Sequence, residues 1–363
     1  MKKYHNCLKG IIVLSLCAAL CGCGLKETAD SSLSGTTTEN ALSDIPDSYS
    51  KEGENITFDT KVTVAQSVKT SGMKDLSAGI QAPDPEKARD ILMGTAKIVG
   101  KNEEKGNYWY EGADNEVLSI NDTSISYSTP FFVNISSCFR LEKNYSDYNA
   151  DKYEVNKDLA FSSVKDAFSD IKEQLAEMGI SVDDQYKCFS LDHTLLAQEE
   201  SVVDIDGNQD LENYKDSWSS DDDCYYFVWN QHYDGSPIYH IFYDAFPLVE
   251  DANAAVQAVY NKDGIQWLQV EKVFQFTENE ETYSLKPFED IATVIENKYT
   301  MILGTAKYTV QSAELYYMAQ KISESEYDVL PVWIFKLLDA ESGKVVQDVI
   351  NAQTGEEIIW EEK

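Results

Sequence analysis

The chain of 363 residues is short of positive charge: 30 lysines and arginines stand against 63 aspartates and glutamates, a formal net charge of −33. That shortage argues against nucleic acid as a partner, because binding a phosphate backbone rests on its neutralisation by Lys and Arg. Anionic lipid surfaces are disfavoured for the same reason. Histidine is scarce, with only His193, His232 and His240 beyond the first few residues. Cysteine is scarce too. Beyond Cys7, Cys17, Cys21 and Cys23 only Cys138, Cys188 and Cys224 remain, and three thiols cannot all pair. A disulfide scaffold is excluded; one optional bridge or three reduced buried thiols fit. The leading apolar run, residues 11–20, is half the ~20 residues a spanning helix needs. The body carries no Gly-x-Ser-x-Gly, His-Glu-x-x-His, P-loop or Gly-x-Gly-x-x-Gly fingerprint. No catalytic residue, metal ligand or cofactor is therefore assigned, and the expectation is a protein that is not an enzyme.

What is present begins at the N-terminus. Lys2, Lys3 and Lys9 precede the apolar run, and Leu20-Cys21-Gly22-Cys23 closes it. Three such zones read as a signal peptide over 1–22. The closing tetrad resembles the lipobox of bacterial lipoproteins, which implies cleavage before Cys23 and a thioether from its sulfur to diacylglycerol. The implied location is the outer face of a cell membrane, with membrane lipid as the first partner. Without the three leading lysines the mature chain has 27 basic residues against 63 acidic ones, a balance of −36.

Residues 23–55 are rich in Ser, Thr, Asp and Glu, with Tyr49 the single aromatic residue. Such a composition buries too little apolar surface to offset chain entropy, so this stretch is expected to be a disordered tether. About thirty flexible residues span roughly 30 Å.

The body is expected to start with Ile56, where nine residues alternate apolar and polar nearly perfectly, as a half-buried strand does. Asp84-Pro85-Glu86 offers an N-cap and a proline at the first helical position, opening a short helix that runs to Met93. Strands are expected around 108–110, 117–120 and 131–135. The clearest helix runs from Ser162 or Ser163 to Met178: Val164, Ala167, Phe168, Ile171, Leu175 and Met178 share one face, Ser163 with Asp166 approximates a capping box, and Gly179 stands at its end. A second helix is expected over 287–299, with Phe288, Ile291, Ile295 and Tyr299 on one face.

Strand-like runs follow each helix: 186–191, 225–233, 238–243, 254–260 and 265–276, then 308–322, 330–338, 345–351 and 357–360. Asp234-Gly235 between two of them is a hairpin signal. The recurring unit is a helix and then an antiparallel meander. An α+β fold follows, with antiparallel sheets each covered by a helix, an N-terminal region over 56–155 and a C-terminal one over 156–363. Residues 92–97 (Leu-Met-Gly-Thr-Ala-Lys) parallel residues 302–307 (Ile-Leu-Gly-Thr-Ala-Lys), a hint of duplication.

The segment Leu330-Pro331-Val332-Trp333, the strand after it, Ser342-Gly343, a further strand and Asn351-Ala352-Gln353-Thr354-Gly355 resembles the end of PepSY-like domains. The larger span from Ser162 to Trp360 resembles the paired PepSY-like arrangement of YycI-type accessory proteins. That resemblance implies a protein outside the membrane of a Gram-positive cell, of the kind that restrains a sensor kinase. YycI-type proteins reach the kinase through a transmembrane helix, whereas here a lipid anchor is expected. The better match is an uncharacterised lipoprotein family of clostridial type built on the same domain. No functional residues are carried over from it.

Three constellations invite chemistry. Oxygen ligands recur at alternate positions from Asp204 to Glu212, as in calcium loops, although an EF-hand would want Gly and Glu where Gln209 and Lys215 stand; a solvated acidic turn is the plainer reading. Asp221-Asp222-Asp223 reads as a charged loop. His232 and His240 flank the Asp234-Gly235 turn with Cys224 nearby, three ligands in no closed zinc spacing. The Tyr- and Trp-rich runs at 225–229 and 316–317 fit either an aromatic surface or, on their alternation, a half-buried sheet. The expected function is non-enzymatic: binding or regulation of an envelope protein or peptide. A transporter's solute-binding lipoprotein and an envelope hydrolase are the alternatives.

Overall fold

The computed structural model describes residues 45–142, 147–203, 208–210, 214–215, 217–240, 254–302, 305–323 and 326–359. The chain enters through β1 (Ser48–Glu52) and β2 (Ile56–Thr63), then a short α1 (Gln66–Ser71), β3 (Lys74–Ile80) and α2 (Pro85–Leu92). A meander follows: β4 (Ile98–Glu104), β5 (Asn107–Gly112), β6 (Val117–Asn121) and β7 (Ser124–Ser128). Next come α3 (Pro130–Ser136), β8 (Glu154–Val155), α4 (Val164–Glu177), β9 (Lys187–Leu191), α5 (His193–Glu199) and β10 (Cys224–Trp229). The small hairpin β11 (His232–Tyr233) and β12 (Ser236–Tyr239) precedes β13 (Val256–Asn261), β14 (Gly264–Glu271) and β15 (Phe274–Thr282). Then α6 (Phe288–Thr300) leads to β16 (Tyr308–Lys321), β17 (Tyr327–Asp339) and β18 (Val345–Asn351).

These strands form two nine-stranded sheets. One runs β4-β5-β6-β7-β14-β13-β10-β9-β8 and is antiparallel throughout. The other is organised by the long β16–β17 ribbon, whose neighbours change along its length. On one side of β16, β2 pairs beside residues 308–314 and β12 beside Tyr317 and Met318, both in parallel. On the far side of β17, β18 pairs with 332–338 and β3 with 327–329, both antiparallel. The fold is α+β as expected, but its second sheet is mixed where an antiparallel one was expected.

Each sheet carries one long helix on a face. On α4, Val164, Ala167, Phe168, Ile171 and Leu175 are buried and join the core that Tyr225, Phe227 and Trp229 build from β10. Ser163 Oγ accepts from the Asp166 amide at 3.1 Å, and Gly179 takes φ +90° at the other end, where a side chain would be strained. On α6, Phe288, Ile291, Ala292, Ile295 and Tyr299 are buried against Leu315, Trp333 and Phe335. Both helices stand where their apolar stripes placed them.

Four expectations need correction. Residues 131–135 are helical, not extended: Pro130 occupies the first helical position, where its fixed φ suits a helix, and Phe132 stacks on Trp267 at 4.4 Å. Of the expected tether, 48–52 is a strand. Tyr49, its lone aromatic residue, packs edge-on against Phe58 and Phe288 at 5.3 and 5.6 Å, and pairing with β2 supplies the stability that the segment's own composition lacks.

Third, the run 265–276 is two strands in different sheets. The chain breaks at Lys272, which adopts φ +48°, so β14 ends in one sheet and β15 opens in the other. Fourth, the sheets do not divide at residue 155. β2 and β3 belong with β15 to β18, whereas β4 to β7 extend the sheet of β9, β10, β13 and β14. The paralleled segments at 92–97 and 302–307 follow α2 and α6 respectively and precede β4 and β16, strands of different sheets; residues 303–304 lie outside the described residues. The final run, 357–359, contributes only an isolated bridge between Glu357 and Ile350.

Candidate functional site

The two sheets are joined at the Lys272 crossing, and two glutamines hold it. Gln231 brackets Phe274, donating to its carbonyl and accepting from its amide at 3.0 Å. Gln81 donates from its side chain to the same carbonyl at 3.1 Å, and its amide donates to the Val273 carbonyl at 2.8 Å. The Lys272 amide donates to the Thr123 carbonyl at 2.9 Å in the β6–β7 turn. Backbone groups freed by the strand break are thus paired across the junction, as buried peptide groups require.

Beside this junction lies a cleft of about 730 Å³. Its walls come from Thr123 in the β6–β7 turn, Lys272 and Phe274 at the crossing, Tyr239 and His240 after β12, residues 318–323 at the end of β16, Tyr327, and Ile358 with Ile359. Phe274 and Tyr327 meet edge-on at 5.0 Å, and the Tyr239 hydroxyl donates to Gln347 at 3.2 Å. A volume of this order is typical of small-molecule sites.

His240 is 4% exposed, and its Nε2 has no hydrogen-bond partner among the described residues. Burial, with a smaller contribution from the charge of Lys272, lowers its pKa to about 3. The folded protein therefore keeps the imidazole neutral while the unfolded chain, at an ordinary 6.5, takes up a proton. Between those two values stability falls as pH falls. Going from pH 6.5 to about 5 should cost about 2 kcal/mol from this group alone. In urea titrations at both pH values, His240→Gln should remove that part of the slope; an unchanged slope would contradict the neutral buried imidazole.

The other sequence candidates are dispersed. His232 on β11 lies with Nδ1 3.3 Å from Asp183, which also accepts its amide at 2.8 Å. Cys224 is buried on β10 in the core beneath α3 and α5. His193 opens α5, with its ring and amide on Asp223 at 2.7 and 2.8 Å. No group of three or more His, Cys, Asp or Glu side chains is placed to hold a metal among the described residues, so His232, His240 and Cys224 are not brought together. Of the expected calcium loop, 204–207 and 211–212 lie outside the described residues.

In the Asp221 to Asp223 run, Asp222 completes a capping box with Ser219 and pairs with Lys215, and Asp223 orients His193. Cys138, Cys188 and Cys224 are free and buried. Burial pushes all three thiols up, Cys138 to about 12, which keeps them protonated and unreactive. The aromatic run of β10 is buried on both faces; it is core.

Sequence reasoning missed the cleft. Lys272, Gln320 and Lys321 carry no motif, and their proximity to His240 follows from a strand break and a parallel pairing that no local pattern announces. The only local signal is a lysine inside an apolar run, where strands usually end.

No family model matches the sequence, and no curated protein matches it either. Among solved structures, the crystal structure of an uncharacterized protein from Eubacterium rectale superposes with a TM-score of 0.58 at 17% identity, covering 88% of this chain and 97% of that one. The two folds are alike. At this identity the likeness concerns the fold alone. The C-terminal domain of Bacillus megaterium YpeB aligns at 12% identity over 75% of this chain and 92% of its own, with a TM-score of 0.28, too low to carry an argument. Among the described residues, no helix is long and apolar enough to cross a membrane.

Proposed function

We propose that this protein is an extracytoplasmic lipoprotein of binding or regulatory type, held at the outer face of a cell membrane by lipid on Cys23. Its body, of PepSY-like character at the C-terminal end, engages a protein or peptide of the envelope without performing chemistry on it. The observation that carries this reading is the cleft at the junction of the two sheets. One of its walls, the crossing at Val273 and Phe274, is held in place by Gln81 and Gln231, which suits a preformed binding site. The turn after β18 supports a structural role for the Asn351 motif: Asn351 Oδ1 accepts from the amides of Gln353 and Thr354 at 2.9 and 3.0 Å, and Gly355 takes φ +77°.

The test is site-specific photocrosslinking in native membranes. A photoreactive side chain at Ser323, exposed on the cleft wall, should capture one defined envelope protein, and the same group at exposed Glu173 on α4 should not. Equal capture from both positions, or none from Ser323, would sink the proposal. The cleft's volume also favours, as a second reading, the solute-binding lipoprotein of a transporter. A thermal-shift screen of solutes, with stabilisation lost on Gln320→Trp, separates the two.

A further inference from the structure

The antiparallel sheet has two unlike faces at its β4 end. On one, Tyr110, Leu118, Ile120, Ile125 and Tyr127 are buried in the core shared with α2 and α4. On the other, one side chain from each of five adjacent strands falls in a single row. Asn102 on β4 pairs with Trp109 on β5, Trp109 with Ser119 on β6, Ser119 with Ser126 on β7, and Ser126 with Gln269 on β14. Directly paired residues share a face of the sheet, so the row crosses the strands in a straight line, roughly 20 Å long at ~4.8 Å per strand. These strands and the turns between β4 and β7 are described throughout, and none of the five side chains is buried.

The row carries no charge, in a chain where 26% of residues do. No Lys or Arg stands at an outward position of these five strands, and the carboxylates Glu104, Glu111 and Glu271 fall in the rows to either side. The side chains of Asn102, Trp109, Ser119, Ser126 and Gln269 make no hydrogen bond to another described residue. Ser, Asn and Gln both donate and accept, as hydroxyl groups of a ligand require. Trp109 is 37% exposed, and Gly100 makes its position possible. A Cβ at residue 100 would lie 3.1 and 3.2 Å from Cζ3 and Cη2 of the indole, so a larger residue would displace the ring that rests over the β4 backbone.

We infer that this row binds a neutral glycan, an extended chain of β-linked pyranose rings, with one ring stacked on Trp109 and hydroxyls met by Asn102, Ser119, Ser126 and Gln269. The weakly positive C–H face of a pyranose suits the negative face of an indole. A pyranose unit is about as long as the strand spacing, so the row takes about four sugars. Charge decides against other occupants. A polyanion would meet only carboxylates on this face, and a cationic peptide finds stronger attraction elsewhere on so acidic a surface. An apolar protein surface would cover the row's polar groups without pairing them. None of the five residues lines the cleft, so the site is a second one, beyond the function proposed above.

The inference is tested by calorimetry on the full-length chain carrying Cys23→Ala, with cellohexaose, chitohexaose and, as the α-linked control, maltohexaose. At least one β-linked hexasaccharide should bind, more tightly than maltohexaose and with an affinity that salt leaves unchanged, since no charge takes part. Trp109→Ala should weaken binding about ten-fold or more, the worth of a central tryptophan in an interface, and Trp109→Phe should weaken it less. Ser126→Glu, on the exposed face, should also weaken binding while leaving the thermal unfolding midpoint close to that of the parent, which separates loss of the site from loss of the fold. No binding of either β-linked sugar, binding that survives Trp109→Ala, or binding that falls as salt is added would overturn the inference. A photoreactive side chain at Ser126 that captures an envelope protein and no glycan overturns the ligand class. In each of these cases photocrosslinking from Ser323 still judges the cleft independently.

Discussion

Replacing Trp333 by alanine is expected to remove about 3–5 kcal/mol of stability, a large part of the roughly 5–15 kcal/mol typical of a folded protein. Trp333 lies on β17 between β16 and β18, 1% exposed. Its ring meets Phe288 at 4.9 Å, one of the contacts that seat α6 on the mixed sheet. Alanine leaves a cavity under that helix, and the helix cannot collapse into it because Ile291 and Ile295 already touch the same core. The indole Nε1 has no partner among the described residues, so Trp333→Phe retains most of the packing and gives up no protein hydrogen bond. It should cost about 1–2 kcal/mol. Urea unfolding followed by circular dichroism distinguishes the pair. If alanine and phenylalanine cost the same, the helix does not rest on this ring.

Replacing Cys23 by alanine should move essentially all of the protein out of the membrane fraction. On the proposed attachment, the sulfur carries diacylglycerol, and each buried CH2 contributes ~0.8 kcal/mol to membrane residence. Two acyl chains therefore outweigh anything the acidic body offers, since like charge repels it from an anionic bilayer surface. Metabolic labelling with palmitate followed by fractionation reads both parts: the label and the pelleted protein should disappear together in Cys23→Ala and persist in Cys21→Ala. Label retained by the Cys23 variant would place the lipid elsewhere and remove the anchor from the argument.

The two predictions draw on different kinds of legibility. Cys23 is read from four adjacent residues and the zones before them, a local pattern. The stripes of α4 and α6 are equally local, because a helix face is set by spacing within one segment, and the structure places both where the spacing put them. The same holds for the Asp234-Gly235 hairpin, whose two residues take φ +47° and +79°, the positive values that such a turn requires. Errors arose where a partner decides. Residues 48–52 lack the composition of a strand and become one because β2 and two aromatic rings are waiting for them. Residues 131–135 have strand composition and become a helix because Pro130 precedes them and Trp267 lies below.

The cleft belongs wholly to the second kind. Its lysines, its histidine and its apolar wall come from positions between Thr123 and Ile359, and their meeting depends on three events, of which only the first leaves a local trace, a lysine inside an apolar run. β14 gives way to β15 at a single left-handed lysine; β12 leaves the sheet of β10 and joins β16 in parallel; and the ribbon of β16 and β17 outruns β2.

By itself the sequence determined the charge of the chain, the candidate lipid site at Cys23, the long helices and the mixture of helix and strand, because each depends on composition or on spacing within one segment. Only the tertiary structure decided how the strands divide between two sheets, that β2 and β12 run parallel to β16, and where Lys272, Lys321 and His240 meet. Strand pairing joins residues distant along the chain through backbone groups that every residue shares, so the sequence leaves the choice of partner open until the packing of whole sheets resolves it.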